Sequence, residues 1–485
     1  MSKRTRATGL SLFSLIAILV LAFSMMSVQA QDATPVPTAT PIIAELGTGG
    51  THISFWNGLT GSDGVTLNDM LAQFAAENPD ISVTVEIIAW GTLYQKLQTA
   101  FVAGTQPDMI LLHASEIPQF GSYGVLRDLS DQYTSGGGWL PDDDISETTM
   151  SGMSWDGVTY GIPLDNHGRG LWINTAMFDA AGISTDPATA PTTYEGWVEL
   201  FQKLTLDANG NNALSPDFDP ENVVQWGFTV GEWPNVNFMA ALAQNGGSFL
   251  SEDGTTVTVN SPEGIAALQQ LVDLVYTYHV SPPAAGFDTW QGFGAGTVAV
   301  LPTGTWYRNQ SLLQSDIPSM AWPNFQFGAQ PAAWFGAHTF MIPSSTEGEK
   351  LDAVLRMIQW VSENQVAWAA SGQVPARLSA QAALDPVNYP SNILLGQTFS
   401  AYGIQDPRTT VTQELLTLLD AGMQEALNGI KPADQALNDA AVLMQEAPGS
   451  PVKQHRTLEI SNCGADHVDL PHTFVMTVPR IYKVS

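Results

Sequence analysis

THISFWNGLTGSDGVTLNDMLAQFAAENPDISVTVEIIAWGTLYQKLQTAFVAGTQPDMILLH, residues 51–113, switches back and forth between two periodicities. The runs HISFW, SVTVEII and DMILLH read as short strands. Between them, apolar residues recur every three or four positions, as on one face of a helix. In the first such stretch Leu67, Met70, Leu71 and Phe74 share a face of a helix predicted over Thr66–Glu77, with Thr66 and Asp69 placed as a capping box. The second predicts a helix over Thr92–Ala103. Strands that alternate with helices in this way build a sheet covered by helices, so the fold class is α/β.

Working outward, a second set of elements starts near Tyr160. It includes a helix with Ser261 as N-cap, Pro262 in the first turn, and Leu268, Leu271, Val272 and Val275 turned inward. TVAVLP and HTFMIP read as buried strands, and 351–370 as one long helix. A chain of 485 residues with 44% hydrophobic content and 14 tryptophans has enough apolar material for two lobes. No short-period repeat of the solenoid or propeller kind is present.

The flanks differ from this body. Residues 1–30 read as a signal peptide: Lys3, Arg4 and Arg6, then the apolar run LSLFSLIAILVLAF, then Val28 and Ala30 before a cut after Ala30. Residues 31–50, rich in Thr and Pro, read as an extended linker, with the folded body starting near Thr51. The stretch 449–485 holds four of the 17 Lys and Arg residues, three of the eight histidines and the only cysteine, Cys463, and reads as an atypical C-terminal tail. A single cysteine excludes an internal disulfide framework, and no cysteine follows the signal run to carry a lipid, so no lipobox is present.

Removal of the three basic signal residues takes the formal charge from −30 to −33, which disfavours nucleic acid and anionic lipid as partners. The usual catalytic motifs are missing too. No lysine follows a glycine, so the glycine-rich FWNGLTGSDG is not a phosphate loop; G-x-S-x-G, H-E-x-x-H and paired zinc cysteines are absent. DANGN at 207–211, with Asp217 and Asp219 beyond it, reads mainly as a surface turn; Asp207, Asn209 and Asn211 are weak calcium candidates. Asp165 and Glu116 are carboxylates of the kind a glycosidase pairs.

What remains is a set of aromatic residues near strand ends: Trp56, Trp90, Trp233, Trp306 and Trp334. Open α/β sheets bind ligands at strand ends beside glycine-rich turns, and a flat ring suits the C–H face of a sugar. Polar neighbours are Asn57, Ser62, Asp63, His113, Ser115, Glu116, Asp165, His167, Asn235, His338 and Arg377. Trp360 and Trp368 are expected in the core on their helix.

The motifs FWNGLTGSDG, QPDMILLHASEIPQFGSYGVLRDL, YGIPLDNHGRGLWINTAMFDAAGI, PTTYEGWVELFQKLT, AGTVAVLPTGTW, FMIPSST and SGQVPARLSA follow in this order. Together they resemble the extracellular solute-binding proteins of bacterial ABC importers, the family of maltose-binding and glycerol-3-phosphate-binding proteins, over residues 51 to about 447. The resemblance implies a two-lobe periplasmic-binding-protein type II (Venus-flytrap) fold with three hinge crossings, near Pro163–Asp165, Gln330–Trp334 and Val374–Arg377. The N-lobe would be 51–164 plus 332–373, and the C-lobe 165–331 plus 374–448.

The resemblance assigns Trp56, Asn57, Ser62 and Asp63 to the first contact loop, and His113, Ser115 and Glu116 to the loop after DMILLH. It puts Asp165 and His167 at the first hinge, with Trp233, Gly304, Thr305, Trp306, Trp334, Gly336 and His338 as further contacts. Arg377 lies where phosphate-binding members place a basic contact. The implied protein is a monomer without cofactor and not an enzyme. It would be exported to the periplasm or the outer face of the cytoplasmic membrane, and would deliver a mono- or oligosaccharide to permease subunits. A glycerophosphodiester ligand, a sensor module that presents its ligand, and a secreted glycoside hydrolase stay open as alternatives.

Overall fold

The computed structural model describes residues 41–313 and 316–449. The expected signal segment, residues 31–40 of the linker and the tail beyond Gly449 lie outside the described residues.

In chain order the strands are β1 (Ile42–Gly47), β2 (Thr51–Asn57), β3 (Ile81–Ile87), β4 (Met109–His113), β5 (Ser154–Trp155), β6 (Val158–Thr159) and β7 (Ile162–Pro163). They continue with β8 (Asp165–Asn174), β9 (Leu206–Asp207), β10 (Val223–Gln225), β11 (Val300–Gly304) and β12 (Ser319–Trp322). The last four are β13 (Ala333–Gly336), β14 (His338–Met341), β15 (Val374–Pro375) and β16 (Gly403–Ile404). One six-stranded sheet runs β1-β3-β2-β4-β14-β7, and a second runs β11-β8-β13-β16 with β12 and β15 also paired to β8.

The opening stretch folds as its periodicity dictates. β2 pairs in parallel with β3 along its length and with β4 at its end. Met109 to Leu112 are four consecutive buried residues, as expected for a strand covered on both faces. The helices Ser62–Glu77, Trp90–Ala103 and Gly348–Glu363 supply that cover. Leu67, Leu71, Phe74, Val354, Met357 and Ile358 join Phe55, Val83 and Phe340 in one core. A second core surrounds Leu171, Ile173, Trp197, Phe201, Leu268 and Leu419.

Several expectations need correction. Ile42–Gly47 is not linker; it pairs antiparallel with β3 and forms the sheet edge. The first helix starts at Ser62, not Thr66, and has no side-chain cap. A Cβ on Gly64 would lie 2.0 Å from the Leu59 carbonyl oxygen, so glycine lets the chain turn early. The Thr66 hydroxyl donates to the Ser62 carbonyl (3.3 Å) and caps nothing. The 351–370 helix is split at Asn364 into Gly348–Glu363 and Gln365–Trp368. Ser261 does cap its helix, accepting from the Gly264 amide at 3.2 Å.

The two sheets meet where the chain passes between them. Leu164 alone separates β7 from β8, and Ala337 alone separates β13 from β14. The second passage therefore lies beyond Gln330–Trp334, because Phe335 and Gly336 still pair with Gly168 and His167. The third leads into β15, whose Val374 and Pro375 pair with Asn166 and Asp165. The passages are bonded to each other: the Leu164 amide donates to the His338 carbonyl (2.8 Å) and the Ala376 amide to the Leu164 carbonyl (3.3 Å).

Candidate functional site

Three strand termini converge at these passages. His113 closes β4, His167 is the third residue of β8, and His338 opens β14. The His338 and His167 rings lie 4.1 Å apart, centroid to centroid, and His113 is 5.0 Å from each. Trp90, at the start of its helix, stacks on His338 at 5.4 Å and 9° and sits 4.3 Å from His113. A Cβ on Gly58 would meet the Trp90 ring at 2.1 Å, which explains one glycine of the opening loop.

Asp165 organises this cluster. It is 0% exposed, and its carboxylate accepts from His338 Nδ1 (2.9 and 3.0 Å), the His338 amide (3.1 Å), Trp368 Nε1 (2.9 Å) and His167 Nδ1 (3.4 Å). Burial alone would raise its pKa, but the flanking histidines outweigh that and hold it well below the usual carboxylate range. Burial, then the neighbouring imidazoles, pushes His113 well below its ordinary value and His167 down to about 4.

A second group of polar residues crosses between the sheets. Glu116 accepts from Gln413 Nε2 (2.8 Å) and from the Ser115 hydroxyl (3.4 Å), while Trp334 Nε1 donates to Asp406 (2.8 Å). Burial raises Glu116 to about 7, with the Asp406 charge adding to it, and burial raises Asp406 to about 6. A cavity of about 20 Å³ separates these groups, lined by His113, Ser115, His167, Gly336, Asp406 and Arg408 among others. That is room for an ion or a water, well under the roughly 300 Å³ of small-molecule sites.

Along the same junction Asp63 accepts from Gln373 (3.4 Å), and Gln373 accepts from the Thr305 hydroxyl. Burial raises the Asp63 pKa. Beside Thr305, Trp306 lies 5.1 Å from Trp233, and the Arg169 guanidinium is within 5.5 and 5.9 Å of the two rings. Arg169 is 1% exposed and bonded to the Glu232 carboxylate (3.3 Å) and carbonyl (2.7 Å). Trp233 is 52% exposed and holds a left-handed backbone at φ +41°, a conformation uncommon for a bulky residue. Gly304 ends β11, where a Cβ would strike the Trp306 ring at 2.2 Å. Asn235 sits in the first turn of the helix after Trp233.

Not every expected contact joins these groups. Trp56 faces a separate groove of about 410 Å³ with Thr92, Gln95 and Thr99, where Lys96 covers its ring at 3.8 Å. Asn57 is buried and accepts from the Leu59 amide (3.0 Å), shaping the turn. Ser62 begins the first helix, its carbonyl bonded to Thr66. Arg377 is paired with Asp144, Nε to Oδ2 at 2.6 Å. Trp334 is part of β13 and not of a loop. Asp207 accepts from the amides of Asn209, Asn211 and Asp219 and from the Asn211 side chain, so its oxygens hold the loop closed.

Tyr94, Arg169, Gln373, Asp406 and Gln413 contact the expected residues, yet residue-type reasoning missed them. Arg169 lay inside YGIPLDNHGRGLWIN, where an arginine amid small residues in a buried strand was the available signal, and Gln373 inside SGQVPARLSA. Trp360 and Trp368 illustrate the same limit: Trp360 is half-buried and donates to Glu77 (2.7 Å), while Trp368 is buried yet serves Asp165.

The profile of the family described as bacterial extracellular solute-binding protein matches residues 57–368. A binding protein of Brucella abortus is 26% identical over 275 residues, 54% of this chain and 59% of that protein, so the chain spans less than two thirds of such relatives. The arabinooligosaccharide-binding protein of Halalkalibacterium halodurans is 23% identical over 357 residues, 70% of this chain and 74% of that one. Among solved structures, an ABC substrate-binding protein from Listeria monocytogenes in complex with cycloalternan superposes with TM-score 0.67 at 24% identity, covering 81% of this chain and 98% of that one. The maltose/maltodextrin-binding domain from Bdellovibrio bacteriovorus bound to maltotriose gives TM-score 0.68 at 19% identity, covering 84% and 100%. These likenesses show the two-lobe type II periplasmic-binding-protein fold.

Proposed function

The chain belongs to the bacterial extracellular solute-binding protein family, and on that premise we propose that it captures a mono- or oligosaccharide outside the cytoplasmic membrane and hands it to the permease of an ABC importer. The observation that carries the sugar reading is the half-exposed Trp233 ring beside Trp306, with Arg169 and Glu232 holding the pair from behind. Aromatic faces suit the C–H side of a sugar, and the Asp63–Gln373–Thr305 chain offers acceptors and donors for hydroxyls. The polysaccharide-derived ligands named for the relatives point the same way.

The cavity of about 20 Å³ beside His113 and His167 is too small for a sugar, and in this reading the sugar enters by separation of the lobes. Capture is then hinge closure: the ligand stabilises the closed form by its differential affinity for closed over open. No bond is broken in this scheme. Asp165, which a glycosidase would need free, already accepts from Trp368, His338 and His167. The engagement of Arg377 with Asp144 favours a neutral sugar over a glycerophosphodiester. In this reading the protein is an exported monomer without cofactor. Isothermal titration of the full chain against a sugar panel tests the proposal, with Trp233→Ala expected to weaken binding about five- to tenfold, the worth of one ring contact. Binding of glycerophosphocholine with no response to any sugar would overturn it.

A further inference from the structure

Three histidines from strands far apart in sequence come together at the lobe junction, each offering a ring nitrogen within 4.8 Å of the other two. We infer that His113, His167 and His338 form a binding site for one divalent first-row transition-metal ion, Zn²⁺ being the best match. This inference goes beyond sugar capture and does not depend on it.

The three rings share an orientation. In all three, the hydrogen bonds run through Nδ1: His113 to the Tyr94 hydroxyl, His167 and His338 to Asp165. A neutral imidazole whose Nδ1–H is donated carries its lone pair on Nε2, so the Asp165 carboxylate, which can only accept, sets that tautomer in His167 and His338, while the Tyr94 hydroxyl, able to donate or accept, holds the His113 ring in place. A carboxylate behind the histidine is the usual outer support of a metal-bound imidazole, fixing its orientation and raising its basicity. One carboxylate supporting two of the three rings is an economical way to do so.

Trp90 stacks on His338 and packs on His113, so two of the rings are held against a rigid face. Gly336 carries no Cβ; one there would lie 2.9 Å from His167 Nε2, obstructing the very atom that would bind. The adjoining cavity of about 20 Å³, lined by His113 and His167, holds one ion or water. Tetrahedral Zn–N bonds of about 2.0–2.1 Å place the nitrogens roughly 3.3 Å apart, so the rings draw in by at most about 1.5 Å.

Three neutral imidazoles with no thiolate select Zn²⁺, Ni²⁺ or Cu²⁺ over Mg²⁺ or Ca²⁺, which want oxygen ligands. Three protein ligands leave the fourth tetrahedral position to water or to an oxygen of a bound molecule. His113 and His338 belong to the first sheet and His167 to the second, so the ion ties the lobes together where the chain crosses.

The test is metal titration of the tag-free full chain with Zn²⁺, and with Co²⁺ followed by its visible ligand-field bands. The expected result is one ion per chain with tetrahedral Co²⁺ bands, lost in His167→Ala and in His338→Ala, and weakened 10–100-fold in Asp165→Asn. Because His455, Cys463, His467 and His472 also carry ligand atoms, a variant with all four replaced by Ala or Ser is run alongside, and it keeps the tetrahedral signal. His113→Gln, close in size, guards against misfolding; circular dichroism confirms its fold while the Co²⁺ bands disappear. Unchanged stoichiometry in the folded His113→Gln and His167→Ala chains, loss of binding in the four-residue variant alone, or no binding of Zn²⁺ at all each overturns the inference.

Discussion

Replacing Glu116 by Gln is expected to stabilise the protein above neutral pH and to leave it unchanged in acid. Glu116 stands on the first lobe and accepts from Gln413 of the second, with Ser115 on the same oxygen. Asp406 and Tyr94 are the other titratable groups that face it. Burial lifts its pKa from 4.5 to about 7. Between those values the folded protein holds a proton on Glu116 that the unfolded chain has lost. The folded state binds more protons there, so stability falls as pH rises through the window, and the loss is complete above about 7.

The shift is about 2.5 units, and at 1.36 kcal/mol per unit the ionised carboxylate costs about 3 kcal/mol at pH 8. Gln keeps the acceptor oxygen for Gln413 and Ser115 and carries no charge. The measurement is urea unfolding of parent and Glu116→Gln at pH 4.5, 6 and 8, read as the difference between them. The difference should be near zero at the acid end and grow to about 3 kcal/mol in favour of the variant at the alkaline end. A difference that stays flat across the three pH values, or a variant less stable than its parent at pH 8, refutes the reasoning.

Three further outcomes follow from contacts already described. Gly58→Ala forces a methyl into the Trp90 ring, and thermal melts should show a loss of about 1–3 kcal/mol, the usual cost of overpacking. Arg377→Ala strips Asp144 of its guanidinium and should cost about 1–3 kcal/mol by urea titration, with sugar affinity unchanged within twofold; a large loss of affinity would return Arg377 to the ligand site. Deleting residues 41–47 leaves the edge of β3 unpaired, and at roughly 0.5–1.5 kcal/mol per hydrogen bond the truncated chain should lose about 2–5 kcal/mol in chemical unfolding.

The α/β body was legible wherever one face of an element meets a core. Leu67, Met70, Leu71 and Phe74 announce a helix because burial of that stripe is what stabilises it, and all four are buried. Ile42–Gly47 was harder to read: as an edge strand it is exposed or half-buried throughout, and only Ala44 and Leu46 pack against the core. Most of its contact is backbone pairing with β3, which no side-chain pattern records. The capping-box expectation failed on similar grounds. Backbone room at Gly64, not a hydroxyl, decides where that helix starts.

The site was legible in part, and the division follows the range of the interactions. Residues flanking a strand end are local in sequence, so Trp90, His113, Asp165 and His338 could be named from their positions after or before apolar runs. What each one touches is set by chain crossings 50 to more than 300 residues apart: His113 with His167, Asp165 with His338 and Trp368, Asp63 with Gln373. The Asp144 partner of Arg377 was equally invisible, because the two lie 233 residues apart. The same logic explains why Asp165 carries so much of the junction. It stands at the single residue step from β7 to β8, where it reaches donors from β14 and from the helix Gln365–Trp368 at once. A carboxylate so placed costs heavily to bury unless all its partners are present, so it couples the three crossings: moving one of them leaves a buried charge short of donors. In the proposed capture cycle, opening that pivots about Asp165 preserves its bonds, and the separation is taken up at contacts between the lobes such as Glu116 to Gln413.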